Sequence, residues 1–249
     1  MTNLRTTLLS KKWFGFDLDD TLHEFRKASS QASQDVFQAI NTREGIDVAS
    51  LSSTYQQILR AATANAFIDG RSSTEYRRDR FNQLLQAHGI VDAMNDESTT
   101  PGNILNKTDI LLNIYKTSLE SNLSLKPGVV EFLQTLRDFR KKIIVITEGP
   151  ADAQLWTIQR LGIEPYIDVL VTTNEVGKSK AHGLFDVVLK KYGIETGDIV
   201  YFGDNEVRDI EAASKSGILA VLYDEKRDSE LDDLGGLRID SWGILQDIF

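Results

Sequence analysis

Apolar runs of the kind that fill a buried strand are few in this chain, and their placement constrains the fold more than anything else. The first covers about 12 to 18 and includes Trp13-Phe14-Gly15-Phe16; no comparable run follows until about 143 to 147, Ile143-Ile144-Val145-Ile146-Thr147. Then come Val169-Leu170-Val171-Thr172, Ile199-Val200-Tyr201-Phe202 and Ile218 to Tyr223, each separated from the next by a helical pattern. Short, continuously apolar strands alternating with helices require a parallel sheet covered on both faces, so the fold class is α/β. The long gap after the first strand is an insertion.

That insertion reads as helical throughout. Leu51, Tyr55, Ile58, Leu59 and Ala62 recur at helix spacing, as do Tyr76, Phe81, Leu84 and Leu85, with His88-Gly89 as a stop. Met94 to Asn103 is a polar loop between helices. Lys126-Pro127-Gly128 starts the helix that returns the chain to the sheet, with Val129, Val130, Phe132, Leu133 and Leu136 apolar. The organisation expected is a core of residues 1–23 and 125–249 interrupted by a helical unit over 24–124. One more strand and a tail are expected after Ile199 to Phe202.

Two of the buried runs end in acids. Phe16 is followed by Asp17-Leu18-Asp19-Asp20-Thr21, and Phe202 by Gly203-Asp204-Asn205-Glu206-Val207-Arg208-Asp209 ahead of a helix start. Ligands of open α/β sheets bind outside the carboxyl ends of the strands, so two acid-tipped strands can meet in one crevice. At an effective dielectric of about 20, like charges ~4 Å apart repel by about 4 kcal/mol, so either one acid protonates or a cation sits between them. Hard carboxylate oxygens favour Mg²⁺. A calcium loop of the EF-hand kind fails, because its glycine and glutamate positions hold Leu22 and Ala28. The bland alternative is a solvated turn with Asp20 or Thr21 capping the next helix.

Two smaller signals lie between the acidic ones. Thr147 ends a buried run and is followed by Glu148-Gly149-Pro150, so its hydroxyl and the following amides could hold a phosphoryl oxygen. Lys178 and Lys180 sit in the loop Val176-Gly177-Lys178-Ser179-Lys180-Ala181-His182-Gly183. His23 and Glu24, where the chain leaves for the insertion, read as hinge residues facing water.

In the order acid pair, hydroxyl, lysine, acid pair, the chain resembles the haloacid dehalogenase-like hydrolase superfamily over nearly its whole length. The resemblance implies a Rossmann-like parallel sheet core with an inserted all-helical cap. It also implies that Asp17 is the nucleophile and Asp19 the general acid and base. Mg²⁺ would be held by Asp17, the Asp19 main-chain carbonyl, Asp204 and Asp209, while Thr147 and Lys180 balance charge on the transferred group. Aligning on Glu175-Val176-Gly177 favours Lys180 over Lys178, although the prolines usual after the family's lysine are missing. Glu148 stands where a small or amide residue is more usual. Thr147, Glu148, Gly149 and Lys180 would line the phosphate, and Arg71, Arg77 and Arg78 of the cap would reach an anionic substrate. The implied activity is a Mg²⁺-dependent phosphatase acting on a small nucleotide or sugar phosphate through an aspartyl-phosphate. The alternatives are a phosphomutase, a haloacid dehalogenase or a non-catalytic metabolite-binding protein. Asp19 weighs against a dehalogenase, because a departing halide needs no proton.

Composition bounds the partners. The net charge of -9 over 249 residues argues against a nucleic-acid groove, and the absence of cysteine excludes disulfides, zinc-thiolate sites and a cysteine nucleophile. The start has too short an apolar run for a secretory signal, and no stretch is long enough to span a membrane. A cytoplasmic monomer or homodimer is expected, with a small phosphorylated metabolite as its partner.

Overall fold

A computed structural model describes residues 2–62, 67–90, 106–225, 237–246 and 248–249. In chain order its elements are α1 (Thr2–Ser10), β1 (Trp13–Phe16), α2 (Phe25–Glu44), α3 (Val48–Ala62), α4 (Ser73–Ala87), α5 (Lys107–Asn122), α6 (Val129–Asp138), β2 (Lys142–Thr147), α7 (Ala151–Arg160), β3 (Val169–Thr172), α8 (Thr173–Val176), α9 (Leu184–Tyr192), β4 (Ile199–Gly203), α10 (Ala212–Lys215), β5 (Leu219–Tyr223), β6 (Leu237–Ile239) and α11 (Gly243–Gln246). The chain divides into two compact units, one of residues 1–25, 67–70 and 124–249, the other of residues 26–66 and 71–123.

In the first unit the strands form one six-stranded parallel sheet of order β3-β2-β1-β4-β5-β6. Buried residues alternate between its faces, as a period of two demands. Phe14, Phe16, Ile143, Val145, Val200 and Phe202 pack with Phe132 and Leu133 of α6 and with Trp242. Ile144, Ile146, Ile199 and Tyr201 pack with Leu184, Phe185 and Val188 of α9. Both faces are dry, which is why these strands read as unbroken apolar runs. The chain proceeds from β1 to β2 and β3 on one side and then crosses to β4 on the other. The strand order therefore reverses between β1 and β4, where such sheets bind ligands.

The expectation of a single strand after β4 is corrected: β5 is followed by β6. That strand is three residues long with Arg238 at its centre, too short and too interrupted to show as a run. The expected polar loop from Met94 to Asn103 lies outside the described residues.

The second unit is built from α2 to α5 around Phe37, Tyr55, Phe81, Leu84, Leu111 and Tyr115. Its aromatic rings pack in sequence, Phe37 on Tyr55 at 5.5 Å, Tyr55 on Phe81 at 5.9 Å and Phe81 on Tyr115 at 5.9 Å. α4 begins with a reciprocal cap, the Ser72 hydroxyl accepting from the Glu75 amide while the Glu75 carboxylate accepts from the Ser72 amide. It ends at His88, with Gly89 at a φ of 69°.

Candidate active site

Asp17 is the first residue beyond β1, and its amide still pairs with the Phe202 carbonyl of β4 at 2.8 Å. The chain then turns tightly. Asp20 adopts a φ of 62°, the Leu22 amide bonds back to the Leu18 carbonyl, and the Trp242 indole N–H donates to the Thr21 carbonyl at 3.2 Å. Leu18 and Leu22 are buried beneath the turn. Neither Asp20 nor Thr21 caps α2, which starts only at Phe25.

β4 ends at Gly203, and a single π turn over Glu206–Glu211 follows, its first amides accepted by the Asn205 side chain. The wider turn carries Asp209 back against the strand end: its Oδ2 accepts from the Asn205 amide at 3.1 Å. A Cβ on Gly203 would overlap the Asp209 side chain, so glycine is required there. Lys180 comes from the loop after α8. Its amide donates to Glu148 Oε1 at 2.9 Å, which ties that loop to the end of β2.

These elements converge. Lys180 Nζ lies 2.5 Å from Asp17 Oδ1 and 2.6 Å from Asp209 Oδ1, all three residues buried. Lys178 is exposed. Asp17, Asp204 and Asp209 each offer a carboxylate oxygen within 4.8 Å of the others. Burial, reinforced by Asp209 and Asp19 and opposed by Lys180, pushes the Asp17 carboxyl up to about 8. Burial opposes the Lys180 charge, but Asp17 and Asp209 more than offset it and raise its pKa. Three carboxylates gather within reach of one another, and Lys180 bridges two of them. That cluster and its hard oxygen donors fit a divalent cation such as Mg²⁺.

Asp19 is turned elsewhere. Its Oδ1 lies 2.9 Å from His23 Nε2, and its Oδ2 accepts from Gln154 Nε2 at 3.4 Å. Gln154 in turn accepts from the Thr147 hydroxyl at 3.4 Å. His23 is a correction to the sequence reading: it does not face water but is fully buried beside Asp19. Because a carboxylate only accepts, Nε2 carries the proton of this contact, while the buried Nδ1 has no hydrogen-bond partner among the described residues. Thr147 ends β2 as expected, but the Gly149 amide does not point to an open subsite; it donates to the Thr173 hydroxyl at 3.2 Å. Glu148, besides holding the Lys180 amide, pairs with Arg208 at 3.4 Å.

Arg71, Arg77 and Arg78, expected to reach the substrate, have partners within the helical unit. Arg71 pairs with Asp79 at 2.5 Å and lies over Tyr76, Arg77 donates to the Ser73 hydroxyl and lies over Tyr115, and Arg78 pairs with Asp109 at 2.7 Å. Sequence reasoning placed His23 at a hinge facing water and missed Gln154 and Tyr201. Gln154 gave no signal. Tyr201 gave a faint one, since a phenol inside an apolar strand must find a partner for its hydroxyl.

Comparison with known proteins agrees with this architecture. A family model described as haloacid dehalogenase-like hydrolase matches residues 15–223. A glyceraldehyde 3-phosphate phosphatase of Methanocaldococcus jannaschii is 28% identical over 238 residues, 94% of this chain and 94% of that protein. A ribulose-1,5-bisphosphate 5-phosphatase of Halopiger xanaduensis is 27% identical over 219 residues, 86% of this chain and 85% of that protein. The crystal structure of a 2-haloacid dehalogenase from Pseudomonas syringae superposes with a TM-score of 0.64 at 20% identity, covering 96% of this chain and 97% of that one. With a switch-point cluster of this composition and a match running from the first strand to the fifth, the chain belongs to the haloacid dehalogenase-like hydrolase family.

Proposed function

We propose that this protein is a Mg²⁺-dependent phosphatase of a small phosphorylated carbohydrate. The observation that carries the reading is the meeting of Asp17, Asp204 and Asp209 with a single buried Lys180 at the strand-order switch. Asp19 beside this cluster favours phosphoryl transfer over dehalogenation, since an alkoxide leaving group needs a proton. The names of the two relatives over most of the chain, both phosphatases of small sugar phosphates, favour that substrate class over nucleotides.

In this reading Asp17 attacks phosphorus in line, the bond from phosphorus to the leaving oxygen breaks, and Asp19 gives that oxygen its proton. Asp19 then takes a proton from the water that attacks the aspartyl-phosphate, which releases inorganic phosphate and restores Asp17. Lys180 and Thr147 balance charge on the equatorial oxygens. His23 and Gln154 hold the two oxygens of Asp19 in place. Asp17, Asp204, Asp209 and the Asp19 main-chain carbonyl would hold the cation, which supplies charge neutralisation on the phosphoryl group.

The test is release of inorganic phosphate from a panel of triose, pentose and hexose phosphates, nucleoside monophosphates and an aryl phosphate. Activity on at least one sugar phosphate with Mg²⁺, loss of it in EDTA and its return on adding Mg²⁺ is the expected outcome. Undiminished turnover in thoroughly chelated buffer refutes the metal assignment, and preference for nucleotides refutes the substrate class.

A further inference from the structure

Tyr201 lies in the middle of β4, fully buried, on the sheet face that packs against α9, where Phe185 meets its ring edge-on at 4.8 Å. Phenylalanine would fill the same volume without a polar atom to satisfy. The hydroxyl reaches two groups: it donates to the Ile146 carbonyl near the end of β2 at 2.9 Å and lies 3.1 Å from Asp209 Oδ1. That carboxylate oxygen is also the one Lys180 holds at 2.6 Å, and the Lys180 ammonium sits 5.6 Å from the centre of the Tyr201 ring. Beside Tyr201 on β1 is its register partner Gly15, where a Cβ would come within 2.9 Å of the Tyr201 ring. β1 thus yields the space that the ring occupies.

We infer that Tyr201 is a positioning residue: its hydroxyl fixes Asp209, and Asp209 fixes the Lys180 ammonium beside Asp17. The inference rests on the phosphatase reading. A lysine head is a compact charge on a flexible four-carbon stem, so its value to a developing phosphoryl charge depends on being held before the charge arrives. Two carboxylates hold it here, and one of them could rotate with it. The phenol proton, shared between a fixed sheet carbonyl and Asp209 Oδ1, anchors that carboxylate to β2. Without the hydroxyl, Asp209 keeps the Asn205 amide on Oδ2, but its Oδ1 is free to move together with the Lys180 ammonium.

Steady-state kinetics on an aryl phosphate decide it, comparing wild type, Tyr201→Phe, Lys180→Ala and the double variant, with melting curves to verify folding at the assay temperature. Tyr201→Phe is expected to lower kcat about tenfold with KM changed by less than about twofold, the loss typical of residues that orient others. In the Lys180→Ala background the same change is expected to alter kcat by less than about twofold, because nothing is left to position. Gly15→Ala, which crowds the ring but keeps the hydroxyl, provides a second variant with the same expected dependence on Lys180. Equal losses in both backgrounds, or no loss from Tyr201→Phe, overturn the role of Tyr201 alone. A folded wild type that hydrolyses no phosphate ester overturns the phosphatase reading and this inference with it.

Discussion

Lys180 holds the two carboxylates it bridges within bonding distance of one ammonium, and the substitutions that matter most follow from that arrangement. Asp17→Asn leaves an amide that cannot attack phosphorus, so turnover should fall by several orders of magnitude, a loss on the scale of about 10⁴ or more. Phosphate release measured with stopped assays at high enzyme concentration checks it; activity within about tenfold of wild type would remove Asp17 from its role. The two loop lysines separate cleanly. Lys180→Ala should reduce kcat at least about a hundredfold, whereas exposed Lys178→Ala should change it by less than about twofold. The opposite ranking would move the site by two residues along the loop.

At the level of elements, the ends of the strands are held by charge as well as by the ladder. Asp168, just before β3, accepts from the Ile143 amide at 2.8 Å and pairs with Arg137 of α6 and Lys142 of β2. Burial works against its ionisation, but the Ile143 amide, Lys142 and Arg137 outweigh it and lower its pKa. A carboxyl depressed in the folded state contributes stability above its unfolded pKa of about 3.9 and loses that contribution as pH falls through the folded value. Asp168→Asn should therefore destabilise the protein at pH 7, and the gap from wild type should narrow below about pH 4. Denaturant midpoints at both pH values measure it, and a gap independent of pH would mean that the carboxylate charge plays no part. The element structure also explains what the sequence hid. β6 is too short for a periodic signal, and the π turn after β4 places Asp209 by one extra residue that no apolar pattern records.

Taken whole, the molecule draws the acidic cluster, Lys180, Asp19 and His23 all from the sheet unit. The arginines that the sequence offered as substrate contacts have partners inside the other unit. Arg78→Ala should consequently lower the stability of the protein by about 1 kcal/mol or less, through loss of its half-exposed pair with Asp109. KM for the best sugar phosphate should stay within about twofold of wild type. Thermal melting and substrate kinetics on one preparation test both halves, and a KM raised tenfold without loss of stability would make Arg78 a substrate contact after all. Among the described residues no helix is long and apolar enough to cross a membrane.

Much of this was legible in the chain itself. A buried parallel strand must be apolar on both faces, so β1, β2, β3, β4 and β5 announced themselves, and a carboxylate at the end of such a strand has few uses other than chemistry. The acids Asp17, Asp19, Asp204 and Asp209 and the hydroxyl of Thr147 stood out at or just after the ends of those runs, but the resemblance to the hydrolase family joined them into one set; the helical insertion showed in its period of 3.6. Alignment on Glu175-Val176-Gly177 only favoured Lys180, and tertiary structure shows that it reaches the acids, because a loop's path depends on what it packs against, here Glu148 on its backbone. It also decided that His23 is buried against Asp19, that Gln154 joins Asp19 to Thr147, and that Arg71 and Arg78 of the helical unit pair with carboxylates there. Each is a contact between residues remote in sequence or turned by an irregular bend, and sequence periodicity carries information only about neighbours on a regular element.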